Sequence, residues 1–262
     1  MTLILNEIHI KREQSDSYII ACADRRITYK EGTQLKNLPR TTKKLFKIDY
    51  LNSCLSYWGN TRAKSDFGNF ELLSSWLPNF IKRNSHIDNL AEFASCLQKK
   101  LNQKMHSNDL KTWASGFHLC GFNKERVPEF YHFSNASWDN EKDKYFNVSH
   151  KFSELTADFA DEHFKEFFIG EEINWLNIKQ TGKRVYRNGD FIVQDAMWEK
   201  LDKTLKEIFD TSNFSFKIEK NDENLIKYYQ FKLKFIGDIY QKWGRTKNVG
   251  GPFDIVVIRP KK

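Results

Sequence analysis

Hydrophobic residues follow two different periods along this chain. Short apolar stretches typical of buried strands lie at residues 3–5, 18–23 and 54–58, and residues 41–48 alternate like a strand with one buried face. In later segments, apolar residues recur every three or four positions, which indicates amphipathic helices. The helices are predicted over residues 62–82, 90–101, 153–169, 195–209 and 225–243. The pattern therefore predicts sheets with helices laid over them, and a loop around Gly32 and Pro39.

Four chemically useful residues fall at the beginnings and ends of the predicted strands. Thr2 opens the first strand directly after Met1, Asp24 follows the second, Lys44 lies in the third and Gly59 ends the fourth. Side chains from neighbouring strand ends can converge on one site. Once Met1 is removed, Thr2 supplies both nucleophile and base, because an α-amino group with a pKa of roughly 8 is neutral often enough to accept the hydroxyl proton.

Two adjacent lysines compete for the position beside Thr2. A one-residue change of register turns every side chain of a strand to the opposite face, so Lys43 and Lys44 are rivals. Lys44 has the same parity as Phe46 and Ile48, which are expected to point inward. Alternation therefore favours Lys44.

A series of short motifs occurs in the same order as in a known family. They are Thr2, Ala-Asp-Arg-Arg-Ile-Thr at 23–28, Lys-Lys-Leu-Phe-Lys-Ile at 43–48, Ser-Tyr-Trp-Gly at 56–59, Gly-Phe-His-Leu-Cys-Gly-Phe at 116–122, Pro-Glu-Phe-Tyr-His-Phe at 128–133 and Val-Gly-Gly-Pro-Phe-Asp-Ile-Val-Val-Ile at 249–258. In these motifs the chain resembles the proteasome β-subunit group of N-terminal nucleophile (Ntn) hydrolases, which includes bacterial self-compartmentalised peptidases. The likeness covers roughly residues 1–150 and 225–260, and implies a central hairpin at 116–133 and a closing strand at 249–258.

The resemblance implies a fold and an assembly. The expected fold is α+β, a four-layer αββα sandwich in which two stacked, mainly antiparallel sheets lie between helical layers, as one domain over residues 1–262. The segment of about residues 170–224 is longer than a minimal β-subunit requires and is expected to form a helical insertion. Because β-subunits stack into rings, the protein is expected to form a ring-like homo-oligomer, unless the insertion caps the packing surface.

The resemblance also implies a role for each site residue. A lysine ammonium at Lys44 would lower the pKa of the Thr2 amine and stabilise negative charge on the threonine oxygen. Asp24 would hold that lysine, and the backbone N–H of Gly59 would face the oxyanion of the tetrahedral intermediate. The expected substrate contacts are Thr28 to an extended substrate backbone, with Ile27, Phe46 and Tyr57 in an apolar pocket.

The leading functional hypothesis is an N-terminal threonine amidohydrolase. It would be a peptidase for peptide or protein substrates that forms an acyl-enzyme on Thr2 without a cofactor. Active β-subunits carry a supporting aspartate and serine before the Gly-Gly pair, whereas residues 246–249 read Thr-Lys-Asn-Val here. With Met1 directly before Thr2, exposure of the nucleophile would depend on methionine aminopeptidase. Two alternatives stay open: a catalytically silent Ntn-fold assembly or binding protein, and an amidase for small non-peptide amides.

Composition indicates the size of the core and the cellular location that are expected for the protein. The chain has 262 residues, is 40% hydrophobic and contains 22 Phe and 7 Trp, which is enough for a large aromatic core. It has neither an 18-residue apolar run nor a signal-peptide pattern, so no membrane contact is expected. The four cysteines lie in apolar segments without metal-ligand spacing, and buried thiols of this kind favour a cytoplasmic location. They are Cys22, Cys54, Cys96 and Cys120.

Charge and histidine content argue against two further classes of function. The net charge is +8, but the 42 basic residues are interleaved with 34 acidic ones and form no aromatic-basic recognition motif. A nucleic-acid partner is therefore not expected. The seven histidines are scattered along the chain, so no metal site is expected either.

Overall fold

Two antiparallel β-sheets form the centre of the molecule. The computed structural model describes residues 3–11, 13–31, 34–64, 69–105, 107–139, 144–146, 149, 151–153, 156–157, 182–189, 192–211, 221–244, 247 and 249–261. The strands, in chain order, are β1 (Leu3–Ile10), β2 (Tyr18–Asp24), β3 (Arg26–Glu31), β4 (Gln34–Thr41), β5 (Leu45–Ile48), β6 (Ser53–Trp58), β7 (Arg62–Lys64), β8 (Phe70–Leu72), β9 (Gly116–Phe122), β10 (Pro128–Ser134), β11 (Ser137–Asp139), β12 (Lys144–Phe146), β13 (Thr156–Ala157), β14 (Gly182–Gly189) and β15 (Phe253–Ile258). The helices are α1 (Leu73–Arg83), α2 (Leu90–Lys104), α3 (Ser107–Thr112), α4 (Ile192–Thr211) and α5 (Asp222–Trp243). The predicted mixture of helices with antiparallel sheets is confirmed.

The first sheet contains the start of the chain. Its four strands lie in the order β14-β1-β2-β15, and each neighbouring pair is antiparallel. Every residue of the central strand β2 is buried, as its continuous apolar sequence predicts for a strand covered on both faces. The register pairs Ile4 with Ala23 and Phe253 with Asp24. The end of β2 at Asp24 therefore lies beside the beginnings of β1 and β15.

The second sheet is built around the predicted central hairpin. Its five strands lie in the order β13-β10-β9-β6-β5. β9 and β10 form the hairpin, with Leu119 opposite Tyr131. β6 pairs with the other side of β9, and β5 pairs with β6 so that Leu45 lies opposite Ser56. The strand ends that carry Lys44 and Gly59 are thereby brought to one end of this sheet.

Apolar side chains gather in three clusters. One cluster contains residues of both sheets, among them Ile4, Ala21 and Cys54. A second joins the five-stranded sheet to α1 and α2, and a third joins the four-stranded sheet to α4 and α5. Each sheet contributes to two clusters, which explains why its central strands carry apolar residues at successive positions.

Helices α2, α4 and α5 lie where the sequence predicts them, but helix α1 is shorter than predicted. It begins at Leu73, and the residues before it form the short hairpin of β7 and β8. Phe70 falls within the helix predicted over residues 62–82, but it lies on β8 and is exposed. An apolar residue three positions before a helix can extend the helical period by chance, so periodicity alone placed the start too early.

Residues 26–31 and 34–41, on either side of the loop predicted around Gly32 and Pro39, form paired strands, so the prediction is wrong at Pro39, while Gly32 lies outside the described residues. β3 and β4 pair with each other as a separate two-stranded sheet. Pro39 lies within β4, which is tolerated because a strand paired on one side has positions where no backbone donor is needed. The proline and the polar composition made this segment appear irregular in the sequence.

The segment of about 170–224, predicted as a helical insertion, also contributes a strand to the central sheet. β14 pairs with β1 along its whole length, from Leu3 opposite Gly189 to Ile10 opposite Gly182. Its sequence is mostly polar, so it lacks the hydrophobic alternation by which a strand is predicted. Most of the helix predicted over residues 153–169 lies outside the described residues. Residues 156–157, which are described, form the strand β13.

A charged cluster is buried between β1 and the helices α4 and α5. The Glu7 carboxylate accepts hydrogen bonds from the Trp198 indole and the Tyr229 hydroxyl, and lies 2.9 Å from His9 Nε2. Burial by itself would raise the pKa of Glu7, but the bond with His9 and nearby positive charges lower it to about 2. The carboxylate is therefore kept ionised inside the protein by its partners.

Replacing Glu7 with glutamine is expected to destabilise the protein in a pH-dependent way. The pKa of Glu7 in the folded state is about 2, below the ordinary value of 4.5. Its contribution to stability is therefore present above pH 4.5 and is lost as the pH falls toward 2. We expect Glu7→Gln to lower the free energy of unfolding by roughly 3 kcal/mol at pH 7 and by progressively less toward pH 3.

Urea unfolding at several pH values measures this difference. Glu199→Gln, on the exposed side of α4, is the matched control and should leave the stability unchanged at each pH. A loss of stability for Glu7→Gln that stays constant from pH 7 to pH 3 would contradict the prediction.

Candidate functional site

A buried ion pair lies where the end of β2 approaches the start of β5. Lys44 Nζ is 3.2 Å from Asp24 Oδ1, and the two side chains are 1% and 0% exposed. The lysine also donates a hydrogen bond to the backbone carbonyl oxygen of Arg26. The structure thus brings together two of the residues that the sequence predicted as partners.

The Asp24 carboxyl group is also bonded to the beginning of the chain. The Leu3 backbone N–H donates a hydrogen bond to Asp24 Oδ1 at 3.2 Å. The second oxygen, Oδ2, is buried, and no described group donates a hydrogen bond to it. Thr2, the predicted nucleophile, lies outside the described residues. One carboxylate oxygen is therefore tied to Lys44 and β1, while the other has unused capacity to accept a donor.

Burial dominates the electrostatics of this pair. It raises the pKa of Asp24 and lowers the pKa of Lys44, while the attraction between the two groups opposes both shifts. Each group is thereby moved toward its neutral form. Perturbed pKa values of this kind are concentrated at functional sites.

Backbone contacts fix the strand ends that carry the pair. The Thr42 N–H donates to the Arg25 carbonyl oxygen at 2.9 Å, and the Tyr57 N–H donates to the Lys44 carbonyl oxygen at 3.1 Å. The Arg25 side chain holds β15, because its Nε lies 2.9 Å from both carboxylate oxygens of Asp254. The ion pair therefore sits in a frame made by both sheets.

Lys43 takes a different direction from its neighbour. Its side chain is exposed, with Nζ 5.4 Å from the centre of the Phe46 ring. Phe46 packs in the cluster beneath α1 and α2, whereas Leu45 packs between the sheets. The ladder with β6 begins only at Leu45, so Lys44 precedes the regular alternation. Contact with Asp24, rather than parity with Phe46, determines where Lys44 points.

Gly59 directly follows β6 in a conformation that requires glycine. Its φ is 85°, and a Cβ added there would lie 2.1 Å from the Ala114 carbonyl oxygen. Gly59 lies two positions after Tyr57, and the Tyr57 N–H donates a hydrogen bond to the Lys44 carbonyl oxygen. Gly59 therefore lies at the same end of the five-stranded sheet as the ion pair.

The four predicted substrate-binding residues divide into two groups. Ile27 and Thr28 lie on β3, directly after Arg26, whose carbonyl oxygen accepts a hydrogen bond from Lys44. Ile27 is buried and Thr28 is half-buried. Phe46 and Tyr57 are buried in the cluster that joins the sheet to α1 and α2. The Tyr57 hydroxyl donates to the Lys43 carbonyl oxygen at 3.1 Å. Phe46 and Tyr57 are thus core residues here, and an apolar pocket lined by them would require this core to open.

Arg26 has a position that the sequence analysis missed. Its NH1 donates to Gln241 Oε1 at 2.8 Å, and a Cβ added at Gly250 would lie 2.7 Å from its NH2. Gln241 Nε2 in turn donates to the Val249 carbonyl oxygen at 2.6 Å. The guanidinium therefore lies beside Val249 and the Gly-Gly pair that precede β15. The Gly-Gly pair was the available signal, because only a residue without a side chain leaves room for this contact.

Other kinds of site have little support in the described part of the chain. No group of three or more His, Cys, Asp and Glu side chains is placed there to hold a metal ion. None of the helices in that part is both long and apolar enough to cross a membrane. All four cysteines are free thiols.

Comparison with known proteins adds no assignment. No protein-family model matches the sequence, and no curated protein is significantly similar to it. A functional assignment therefore depends on the residues and the geometry described above.

Proposed function

We propose that the protein is an N-terminal threonine amidohydrolase, a peptidase of the proteasome β-subunit type, that acts after removal of Met1. The observation that carries the proposal is the buried Asp24–Lys44 pair with the Leu3 N–H on the same carboxylate oxygen. The Leu3 nitrogen is covalently bonded to Thr2, so the proposed nucleophile is attached directly to a group that contacts the pair. Apolar residues of similar volume often stabilise a fold as well as a buried ion pair does, or better. The Asp24–Lys44 pair is therefore better explained by a function than by stability.

The first half of the proposed reaction forms an ester. The Thr2 hydroxyl oxygen attacks the substrate carbonyl carbon while the α-amino group of the same residue accepts the hydroxyl proton. The Lys44 ammonium, held by Asp24, keeps that amine neutral and stabilises negative charge on the attacking oxygen. The Gly59 N–H donates a hydrogen bond to the oxyanion. The amine then passes its proton to the leaving nitrogen as the carbon–nitrogen bond breaks.

The second half of the reaction releases the acid product. The α-amino group of Thr2 accepts a proton from water, and the oxygen of that water attacks the ester carbonyl carbon. The bond between this carbon and the Thr2 oxygen breaks, and the proton returns to the Thr2 oxygen. Apart from water, no co-reactant is consumed.

The four-layer αββα sandwich of Ntn hydrolases is part of the same proposal. Three observations support it: one apolar cluster between the sheets, one between the five-stranded sheet and α1 with α2, and one between the four-stranded sheet and α4 with α5. In this arrangement β1 begins beside the end of β2 that carries the ion pair, which is where the reaction would take place.

A catalytically silent Ntn-fold binding or assembly protein is the second candidate. It is favoured by Arg26, whose guanidinium lies against Gly250 beside the segment that would carry the supporting aspartate and serine. The closed packing of Phe46 and Tyr57 favours it as well. The first candidate explains the buried ion pair and the second explains these two departures.

The deciding experiment combines intact-mass measurement with an activity panel. Purified protein whose mass shows loss of Met1 is incubated with a broad set of peptides and small amides. Turnover that is blocked by a threonine-directed electrophile would support the first candidate. Complete inertness of protein without Met1 would reject it in favour of the silent protein.

Ring-like self-association is expected under the first candidate. Helix α5 carries three exposed large apolar residues, Phe231, Phe235 and Trp243, which are suited to contact with another protein surface. Light scattering at high protein concentration should therefore report a mass several times that of the 31.1 kDa chain. A single species with the mass of one chain would remove the ring from the proposal.

A further inference from the structure

The turn that follows β6 is held by a second segment of the chain. Asn60 N–H donates a hydrogen bond to Ser115 Oγ at 2.8 Å, and Ser115 is 1% exposed. A Cβ added at Gly59 would lie 2.6 Å from the same Oγ atom. The backbone at Gly59 and Asn60 therefore lies directly against Ser115, which precedes β9.

Ser115 is itself fixed from three directions. Its N–H donates to Asn135 Oδ1 at 2.6 Å, and its carbonyl oxygen accepts from the Asn135 N–H at 3.1 Å. The Ser134 hydroxyl donates to that carbonyl oxygen as well, at 3.0 Å. With both backbone groups bonded, Ser115 has little freedom to move relative to β10.

Asn135 is the centre of this arrangement. Its side chain is almost completely buried, and its Nδ2 donates to the carbonyl oxygens of Leu110 and Trp113 at 2.6 and 3.0 Å. From its position directly after β10, this one side-chain amide thus joins Leu110 in α3 and Trp113 after it to Ser115. Buried polar side chains that satisfy several backbone groups make a local structure rigid.

We infer that Ser115, held by Asn135, is a positioning residue that aims the Gly59 N–H at the reacting carbonyl group. This inference rests on the proposed function, because Gly59 acts as an oxyanion donor only if the protein is a hydrolase. An oxyanion donor is effective when it is preorganised, and a misplacement of about 1 Å can cost a hundredfold in rate. Because glycine is flexible, the direction of the Gly59 N–H depends on how its neighbours are held. Ser115 holds the next residue, Asn60, by its backbone N–H.

The test compares Ser115→Ala with wild-type protein, both with Met1 removed. Loss of the hydroxyl frees the Asn60 N–H, so kcat is expected to fall about tenfold while KM changes by less than about twofold. The affinity for a peptide aldehyde, which forms a tetrahedral adduct with Thr2, should fall in parallel with kcat. Binding of an unreactive peptide should not change. Hydrogen exchange at the Asn60 amide should become faster.

Ser53→Ala is the matched control. Ser53 is buried on the same strand β6 near its other end, and no hydrogen bond to its hydroxyl is found in the described structure. This variant removes an equal volume without touching the Gly59 turn and should resemble wild type in every measurement. Should Ser115→Ala not fold, Ser134→Ala removes the donor to the Ser115 carbonyl oxygen, together with the acceptor of the Ala136 N–H, and should shift kcat in the same direction.

The outcomes separate this inference from the proposed function. If Ser115→Ala matches Ser53→Ala in kcat, aldehyde affinity and hydrogen exchange, the positioning role is wrong and the hydrolase proposal stands. A variant that loses stability, kcat and peptide binding together would show a structural role only. Wild-type protein that lacks Met1 and is still inert would overturn the hydrolase proposal and, with it, the positioning role.

Discussion

Replacing Thr2 with alanine is expected to abolish turnover while leaving thermal stability nearly unchanged. Under the proposed function the variant lacks the hydroxyl oxygen that forms the acyl-enzyme, so activity should fall by at least about a thousandfold. A terminal hydroxyl contributes little to packing, and the unfolding temperature should shift by less than about 2 °C. Peptide turnover, covalent labelling by a threonine-directed electrophile and thermal unfolding together measure these effects.

Thr2→Ser is the matched control for this experiment. It keeps the hydroxyl and the amine and removes only a methyl group, so labelling and measurable turnover should persist. Intact mass is determined first, so that only chains beginning at residue 2 are compared. If wild type, Thr2→Ser and Thr2→Ala are equally active, the assignment of Thr2 as the nucleophile is wrong. If all three are equally inert, the silent protein is the better assignment.

Replacing Lys44 with alanine is expected to remove activity and to destabilise the fold. Under the proposed function, loss of the lysine raises the pKa of the Thr2 amine and removes a positive charge that stabilises the reacting oxygen. Asp24 would also remain as a buried carboxyl group whose only described partner is the Leu3 N–H. Breaking one side of a buried ion pair typically costs about 3–5 kcal/mol, which urea unfolding would detect.

Two further variants separate charge from packing at this site. Lys43→Ala removes an adjacent but exposed lysine and should change stability by less than about 0.5 kcal/mol and activity very little. The double variant Asp24→Asn, Lys44→Met removes both charges at similar volume, so stability should recover while turnover stays lost. Activity in the double variant would contradict the catalytic role of the pair.

The reliable part of the sequence prediction came from long apolar patterns. β2 was predicted from a continuous apolar run, and burial of every residue in it confirms the interpretation. Helix α2 was predicted over 90–101 and spans Leu90–Lys104, where Asn89 Oδ1 accepts from the Glu92 N–H at 2.9 Å as an N-terminal cap. Such elements are predictable because a repeating apolar face must be covered by the rest of the protein.

The missed elements lack a repeating apolar face. β14 is mostly polar, yet it pairs with β1 along eight positions because β1 has an edge to be satisfied. β4 contains Pro39, a residue that predicts irregular structure, and still forms a hairpin with β3. Backbone hydrogen bonding decides these strands, and it leaves little trace in the identity of the side chains.

The candidate site was predictable in part. Asp24, Lys44 and Gly59 stand at the beginnings and ends of the predicted strands, and Asp24 and Lys44 are in direct contact. The contributions of Ser115 and Asn135 were not foreseen, because a serine and an asparagine 20 positions apart resemble ordinary loop residues until β9 and β10 bring them together. Buried polar contacts between distant segments depend on the packing of whole sheets, which no local pattern reports.

The sequence by itself determined which segments had to be buried and which residue types were available for chemistry at their ends. Its apolar runs required covered strands, and its three-to-four-residue periods required helices over them. The tertiary structure alone decided that Lys44 meets Asp24 and does not share the direction of Phe46, and that the Leu3 N–H shares the same carboxylate oxygen. The reason is physical: a side chain outside a regular ladder turns toward the partner that offsets the cost of burying its charge, and only the assembled sheets define where that partner lies.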